Sequence, residues 1–286
     1  MLIPRKFIVT DIITVPAFTD NYIWLVCNEK RAENKKYAAI VDPGEAEPVI
    51  AALKKDNIQP VAILITHFHH DHVGGIAKLL SIYPNLSVYG PASENIPHIT
   101  HPLKGGESLS FDEIKADFQV MNVHGHTAGH IAYYTLDNEN FDKENFDKKN
   151  SGKLFCGDTL FAGGCGRVFN GTMEDLHDSL RKISQLPADT LIYCAHEYTL
   201  DNLGFAKWVE PNNKDLLARE EADRELIDND RATVPSRLSL ELETNPFMRT
   251  HLPHVAKRVA EATGKTLNNS TEVFSAMRTW KDSEYD

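Results

Sequence analysis

Cysteine is scarce in this sequence. Four residues, Cys27, Cys156, Cys165 and Cys194, stand among 286, and no two form a CxxC pair. That excludes a disulfide scaffold and points to a reducing intracellular compartment, the cytoplasm first with an organelle as the alternative. Long apolar runs are missing too, since none approaches the roughly 18–20 residues of a membrane-spanning helix. The opening stretch MLIPRKFIVTDIITVPAF is interrupted by Pro, Arg, Lys, Thr and Asp, unlike the core of a secretory signal. No membrane partner is expected. Positive charge is in short supply: 30 Lys plus Arg against 41 Asp plus Glu give a formal charge of -11. Bulk attraction to nucleic acid or an anionic surface is thereby excluded, although a local basic patch can still hold an anion.

What is present is ordinary for a soluble globular chain: 42% hydrophobic and 25% charged residues, which excludes disorder and collagen-like repeats. At about 150 residues per domain, the length suggests two domains, or one large domain with an appendage. Phe7–Val15, Tyr22–Cys27 and Tyr37–Val41 are rich in β-branched and aromatic residues and read as strands. Val61–Thr66 is a continuous apolar run, suited to a strand buried on both faces. Further strands are expected at Leu86–Tyr89, Phe118–Val123, Ile131–Leu136, Lys153–Cys156 and Thr190–Cys194. Helical spacing follows His72 up to Pro84, and again over Thr172–Leu186 with Thr172 as N-cap.

The pattern changes near residue 198. Helical spacing then dominates, over Leu200–Val209, Asn213–Arg231, Pro253–Thr263 and Thr271–Lys281. Strands followed by a run of helices predict an α+β domain over 1–198 and a small all-helical domain over 199–286. Residues 137–151 repeat ENFDK twice and read as a charged loop insertion between two strands.

The strongest chemical signal is Thr66-His67-Phe68-His69-His70-Asp71-His72, directly after the buried strand. In an extended strand end, residues i and i+2 point the same way, so His67 and His69 can grip one metal. The turn into a helix redirects Asp71 and His72 toward a neighbouring point, whereas His70 points away. Gly74 and Gly75 permit close backbone approach there. Three later residues, His126 in GHTAGH, Asp158 in FCGDTLF and His196 in YCAHEYT, also follow predicted strands. Together they make five imidazoles and two carboxylates, too many for one tetrahedral site and suited to two metals sharing a carboxylate and a water. Such ligands accept zinc, iron or manganese alike. His130 is open to two readings, orientation of a ligand or simple packing.

These residues resemble the metallo-β-lactamase fold superfamily, whose signature THxHxDH appears here as THFHHDH. The chain is similar in particular to the hydroxyacylglutathione hydrolase (glyoxalase II) family. TDNYIWLV, VDPG at 41–44, GHTAGH, GDTLFAGGCGR at 157–167, AHEYT at 195–199, TNPFMR at 244–249 and MRTWKD near the end carry the resemblance. It implies an αβ/βα sandwich followed by the helical domain. It also implies two divalent ions, zinc foremost: one on His67, His69 and His126, the other on Asp71, His72 and His196, with Asp158 bridging. Arg167, Phe169, Tyr198, Arg278 and Lys281 would hold the glutathione part of the substrate. Arg167 and Phe169 stand where some relatives carry Lys and Tyr, so the charge is kept and one hydroxyl is lost.

The reaction so implied is hydrolysis of S-D-lactoylglutathione to glutathione and D-lactate, the second step of methylglyoxal detoxification. A metal-bridged hydroxide would attack the thioester carbonyl, with Asp71 orienting it and taking up its proton. The thiolate leaves without a strong general acid, because thiols ionise near pH 8.5–9. A monomer is expected. The rival on the same scaffold is a persulfide dioxygenase with one iron and no such long helical domain, against which the full ligand set and the Arg278/Lys281 pair argue. A binding protein that kept the fold would be expected to lack at least one ligand.

Overall fold

The computed structural model describes residues 11–27, 36–136 and 152–285. The ENFDK insertion at 137–151 and the beginning of the Phe7–Val15 strand lie outside the described residues. The chain forms two compact units, one of residues 1–122 with 131–157 and the other of 123–130 with 158–286.

In the first unit, β1 (Asp11–Ala17), β2 (Asn21–Cys27), β3 (Lys36–Val41), β4 (Ile58–Leu64), β5 (Ser87–Pro91) and β6 (His101–Leu103) form a sheet in sequence order. β1, β2 and β3 pair antiparallel, and β3 through β6 run parallel. The parallel strands explain the unbroken apolar run ending β4, since Ala62, Ile63 and Leu64 are all fully buried. Pro60 cannot donate a ladder hydrogen bond, and the β3–β4 register shifts beside its partner, between Ala38 and Ala39.

Ile23, Leu25, Ile40, Ile63 and Val88 on one face of this sheet pack against Val49 and Leu53 of α1 (Ala46–Lys55) and Ile76 and Leu79 of α3 (Ile76–Ile82). The helix α1 was not expected from the sequence; its signal is the 3–4 spacing of buried Ala46, Val49 and Leu53. The short α2 (His70–Val73) precedes α3. A second set, β7 (Ser108–Phe111), β8 (Ala116–Asn122), β9 (Ile131–Leu136) and β10 (Gly152–Gly157), is an antiparallel meander. Tyr133 of β9 ties it to the first sheet, its hydroxyl donating to the carbonyl of Ile65 at 2.8 Å.

In the second unit, β11 (Leu160–Phe161) and β12 (Gly164–Cys165) form a tight hairpin, and β13 (Leu191–Cys194) pairs with β14 (Ser236–Arg237). The helices are α4 (Met173–Ile183), α5 (Thr199–Val209), α6 (Lys214–Asp228), α7 (Leu238–Thr244), α8 (Pro253–Thr263) and α9 (Ser270–Glu284). Their ends obey capping chemistry. Thr172 accepts from the Asp175 N–H at 3.0 Å as expected, and Asn213 and Asn269 cap α6 and α9 in the same way. Pro253 opens α8 and Gly264 closes it in the left-handed region. An aromatic core joins the helices, with ring centroids 5.4 Å apart for Phe205–Trp280 and 5.7 Å for Phe247–Phe274.

Candidate metal centre

In the first unit, β3 and β4 end side by side, and the two loops that follow are bonded together. Asp42 Oδ1 accepts from the Thr66 N–H at 2.8 Å, and Oδ2 accepts from the Thr66 hydroxyl at 2.7 Å. The same Oδ2 lies 3.0 Å from His72 Nδ1. A carboxylate only accepts, so His72 carries its proton on Nδ1 and turns a lone pair outward on Nε2. The Thr66 hydroxyl, its proton committed to Asp42, accepts from His67 Nδ1 at 3.1 Å, which leaves His67 Nε2 as the bare nitrogen. Gly44 explains VDPG: a Cβ there would stand 1.8 Å from the carbonyl oxygen of Asp71.

The donors of this unit then gather closely. His67 Nε2 is 3.0 Å from His69 Nδ1, and His72 Nε2 is 3.4 Å from Asp71 Oδ2. Asn21, at the start of β2, donates to that Asp71 Oδ2 at 2.9 Å and orients the carboxylate. His70 is exposed, as the sequence indicated.

The second unit holds the other three donors. Asp158 follows β10 directly, and its Oδ2 is 3.5 Å from His126 Nε2 and 3.4 Å from His196 Nε2. His126 donates from Nδ1 to the Arg167 carbonyl at 2.8 Å, so its Nε2 is bare. His130 is buried and accepts at Nε2 from the Asp158 N–H at 3.2 Å. This gives it an orienting role beyond packing.

The separations can be tested against a metal. Two ligands at about 2.0–2.1 Å from a tetrahedral ion stand about 3.3 Å apart. The four donor pairs within the units lie at 3.0, 3.4, 3.5 and 3.4 Å, and the donors are imidazole nitrogen and carboxylate oxygen. The chain thus carries a His/Asp donor set suited to divalent metal ions.

The remaining side chains singled out from the sequence all belong to the second unit. Phe169 is 63% exposed and meets the His126 ring edge-on at 5.1 Å. Tyr198 stacks on His196 at 4.7 Å and is 37% exposed. Arg167 is half exposed, with Nε 3.6 Å from Asp282. Arg278 is fully buried: it donates to the Cys165 carbonyl at 3.1 Å and to Asp282 at 2.8 Å, with its guanidinium over the Phe247 ring. Lys281 is also buried, 3.6 Å from Asp201. Burial pushes the Cys165 thiol up to about 11 and the Cys194 thiol up to about 12, which makes both poor nucleophiles at neutral pH. The sequence does not single out Asn202 or Glu241, and it presents Asn21, Asp42 and Asn245 only as parts of TDNYIWLV, VDPG and TNPFMR.

Comparison with known proteins gives consistent results. The family described as Hydroxyacylglutathione hydrolase C-terminus matches residues 197–284, and the Metallo-beta-lactamase superfamily matches residues 19–139. A "Hydroxyacylglutathione hydrolase" of Nitrosomonas eutropha is 46% identical over 272 residues, covering 95% of this chain and 98% of its own length. One from Alkalilimnicola ehrlichii is 45% identical over 273 residues, covering 96% and 99%. Among solved structures, ETHE1 from Myxococcus xanthus superposes with a TM-score of 0.60 at 19% identity, over 97% of this chain and 93% of its own. The BLEG-1 B3 metallo-beta-lactamase gives 0.56 at 22% identity, over 83% of this chain and 99% of its own. These two show the fold alone.

Proposed function

The chain belongs to the hydroxyacylglutathione hydrolase family of the metallo-β-lactamase superfamily, and from that premise we propose that it hydrolyses S-2-hydroxyacylglutathione thioesters, S-D-lactoylglutathione first among them, to glutathione and a 2-hydroxy acid. In this reading the donor set holds two ions, zinc by preference. His67, His69 and His126 serve one, Asp71, His72 and His196 the other, and Asp158 is shared. The observation that carries the reading is Asp158 Oδ2, which faces His126 Nε2 and His196 Nε2 at nearly equal distances, as a bridging carboxylate would.

Divalent ions bound by such donors acidify water and polarise a carbonyl oxygen near neutral pH. The chain's own residues supply the rest. Asp71, oriented by Asn21, takes the proton of the attacking water. The leaving thiolate needs no acid, since a thiol ionises near pH 8.5. Arg167, Phe169 and Tyr198 offer the anionic tripeptide a cation and two exposed rings, and Arg278 and Lys281 add positive charge beneath. Residues 1–198 act as the catalytic domain and 199–286 as the helical substrate-binding domain. The protein works as a cytoplasmic monomer. Among the described residues no helix is long and apolar enough to cross a membrane.

The test is hydrolysis of S-D-lactoylglutathione, followed by thioester absorbance, with metal content measured on the same sample. Turnover with about two metals per chain, lost in Asp158→Ala, is the expected result. Absence of turnover in a metal-loaded sample overturns the substrate. A single iron with oxygen uptake on glutathione persulfide overturns the reaction class.

A further inference from the structure

Residues 161–165, Phe-Ala-Gly-Gly-Cys, make the β11–β12 hairpin that separates Asp158 from Arg167. A backbone polar group of each of these five residues is taken by a side chain from beyond residue 198. Asn245 Nδ2 donates to the Phe161 carbonyl at 3.3 Å and to the Gly164 carbonyl at 2.9 Å. Asn202 of α5 donates to the Ala162 carbonyl at 3.2 Å, and Arg278 of α9 to that of Cys165 at 3.1 Å. The Gly163 N–H donates to Glu241 Oε2 of α7 at 2.8 Å.

These grips are themselves held. Glu241 is fully buried and accepts from Arg219 at 2.6 Å, from the Ser236 hydroxyl, and from Asn245 at 3.0 Å. Asn245 Oδ1 accepts from the Phe247 N–H at 3.1 Å, which determines the amide's orientation and turns its NH2 to the hairpin. Without side-chain partners, a hairpin with adjacent glycines, Gly163 at φ +71°, would be free to move.

Any such movement reaches the metal donors. Asp158 stands at the near end of the segment. At the far end the Arg167 carbonyl aims His126 at 2.8 Å, and a Cβ on Gly166 would lie 2.0 Å from the Asp158 carbonyl oxygen. One shift of the hairpin therefore displaces both a carboxylate donor and the group that orients an imidazole donor.

We propose that Asn245, Glu241 and Asn202 are positioning residues for the metal donors Asp158 and His126, acting through the 161–165 hairpin. The helical segment then holds the donors in register, over and above any contact with substrate, and Arg278 does part of its work on the Cys165 carbonyl. This rests on the donor roles proposed for Asp158 and His126. Orienting partners of metal ligands are commonly worth 10–100-fold in affinity.

The experiment measures zinc affinity by competition with a chromophoric chelator, alongside melting temperature, kcat and KM. Asn245→Asp keeps the acceptor for Phe247 but removes the donations to the hairpin. Asn202→Ala removes one donation from a helix that tolerates alanine, and decides the matter alone should Asn245→Asp fail to fold. Val259→Ala, in the core of α8, controls for general destabilisation. Zinc affinity about 10–100-fold weaker in Asn245→Asp is expected, with a smaller loss in Asn202→Ala and none in Val259→Ala. Wild-type affinity in both amide variants, equal weakening in Val259→Ala, or no zinc binding by the wild type overturns the proposal. A wild type that binds zinc without cleaving glutathione thioesters removes the substrate and leaves the positioning result intact.

Discussion

The backbone N–H of Asp158 donates to Nε2 of His130 at 3.2 Å. The acceptor nitrogen is therefore unprotonated, and the ring proton sits on Nδ1, facing the Thr159 hydroxyl at 3.4 Å. That hydroxyl in turn donates to the Val123 carbonyl at 3.2 Å. A single neutral tautomer of a buried histidine thus couples the GHTAGH turn to the first residue after β10.

Replacing His130 with Ala leaves the Asp158 N–H without this acceptor and releases the carboxylate donor. Metal affinity is expected to fall about 10–100-fold, with a matching loss of kcat. Equilibrium dialysis against a zinc buffer reads the effect, and an unchanged affinity refutes it.

Asp42→Asn is expected to act on the other half of the donor set. Asp42 accepts from the Thr66 N–H, the Thr66 hydroxyl and His72 Nδ1, and an amide has one oxygen for three donors. Hydrogen bonds to a charged acceptor are each worth about 1.5–3 kcal/mol, so calorimetry should show a lower melting temperature together with weaker metal binding. A variant as stable as wild type with full metal content contradicts this role.

Phe169→Tyr places a hydroxyl on a ring that is 63% exposed, where it disturbs no packing. If the ring lies along the bound tripeptide, a new hydrogen bond worth about 0.5–1.5 kcal/mol lowers KM by roughly 2–12-fold at constant kcat. Steady-state kinetics on S-D-lactoylglutathione decide it. An unchanged KM takes Phe169 out of the substrate site.

The thiols should be inert. Burial holds Cys27 and Cys194 up at about 12 and Cys165 at about 11, so all three stay protonated at neutral pH. Iodoacetamide at pH 7.5 is expected to leave activity intact, whereas a chelator abolishes it and added divalent metal restores it. Inactivation by alkylation of the folded protein would contradict this.

His177 gives stability a pH dependence. It is buried between the Thr250 and Thr271 hydroxyls, and burial, then the nearby Arg181 charge, lowers its pKa. The unfolded chain then binds more protons than the folded one, so stability rises with pH. The contribution is complete above about 6.5 and is lost as pH falls from there through the lowered folded value. Melting curves from pH 7.5 to 5 should fall less steeply in His177→Gln than in wild type. Parallel curves would show that the ring contributes no such slope.

Much of this protein is determined locally. His67 and His69 share a side because alternate residues of an extended chain do, and Thr172 caps α4 because a hydroxyl can reach the N–H of Asp175 three residues on. The apolar run of β4 announces a buried strand, and helical spacing announces α5, α6, α8 and α9, though not α7.

Other features no local pattern contains. The family resemblance marks Arg278 and Lys281 as substrate cations, yet the Arg278 guanidinium donates to a carbonyl 113 positions away, at Cys165. The grip of Asn245 on Gly164 spans 81 residues, and that of Glu241 on Gly163 spans 78. Asp42 meets His72 only because β3 and β4 are neighbours in one sheet. Donor chemistry is written in residue type and short spacing, because a ligand's identity belongs to its own side chain. The orientation of each donor is decided by partners that only the folded backbone brings within about 3 Å, since hydrogen bonds are short and directional.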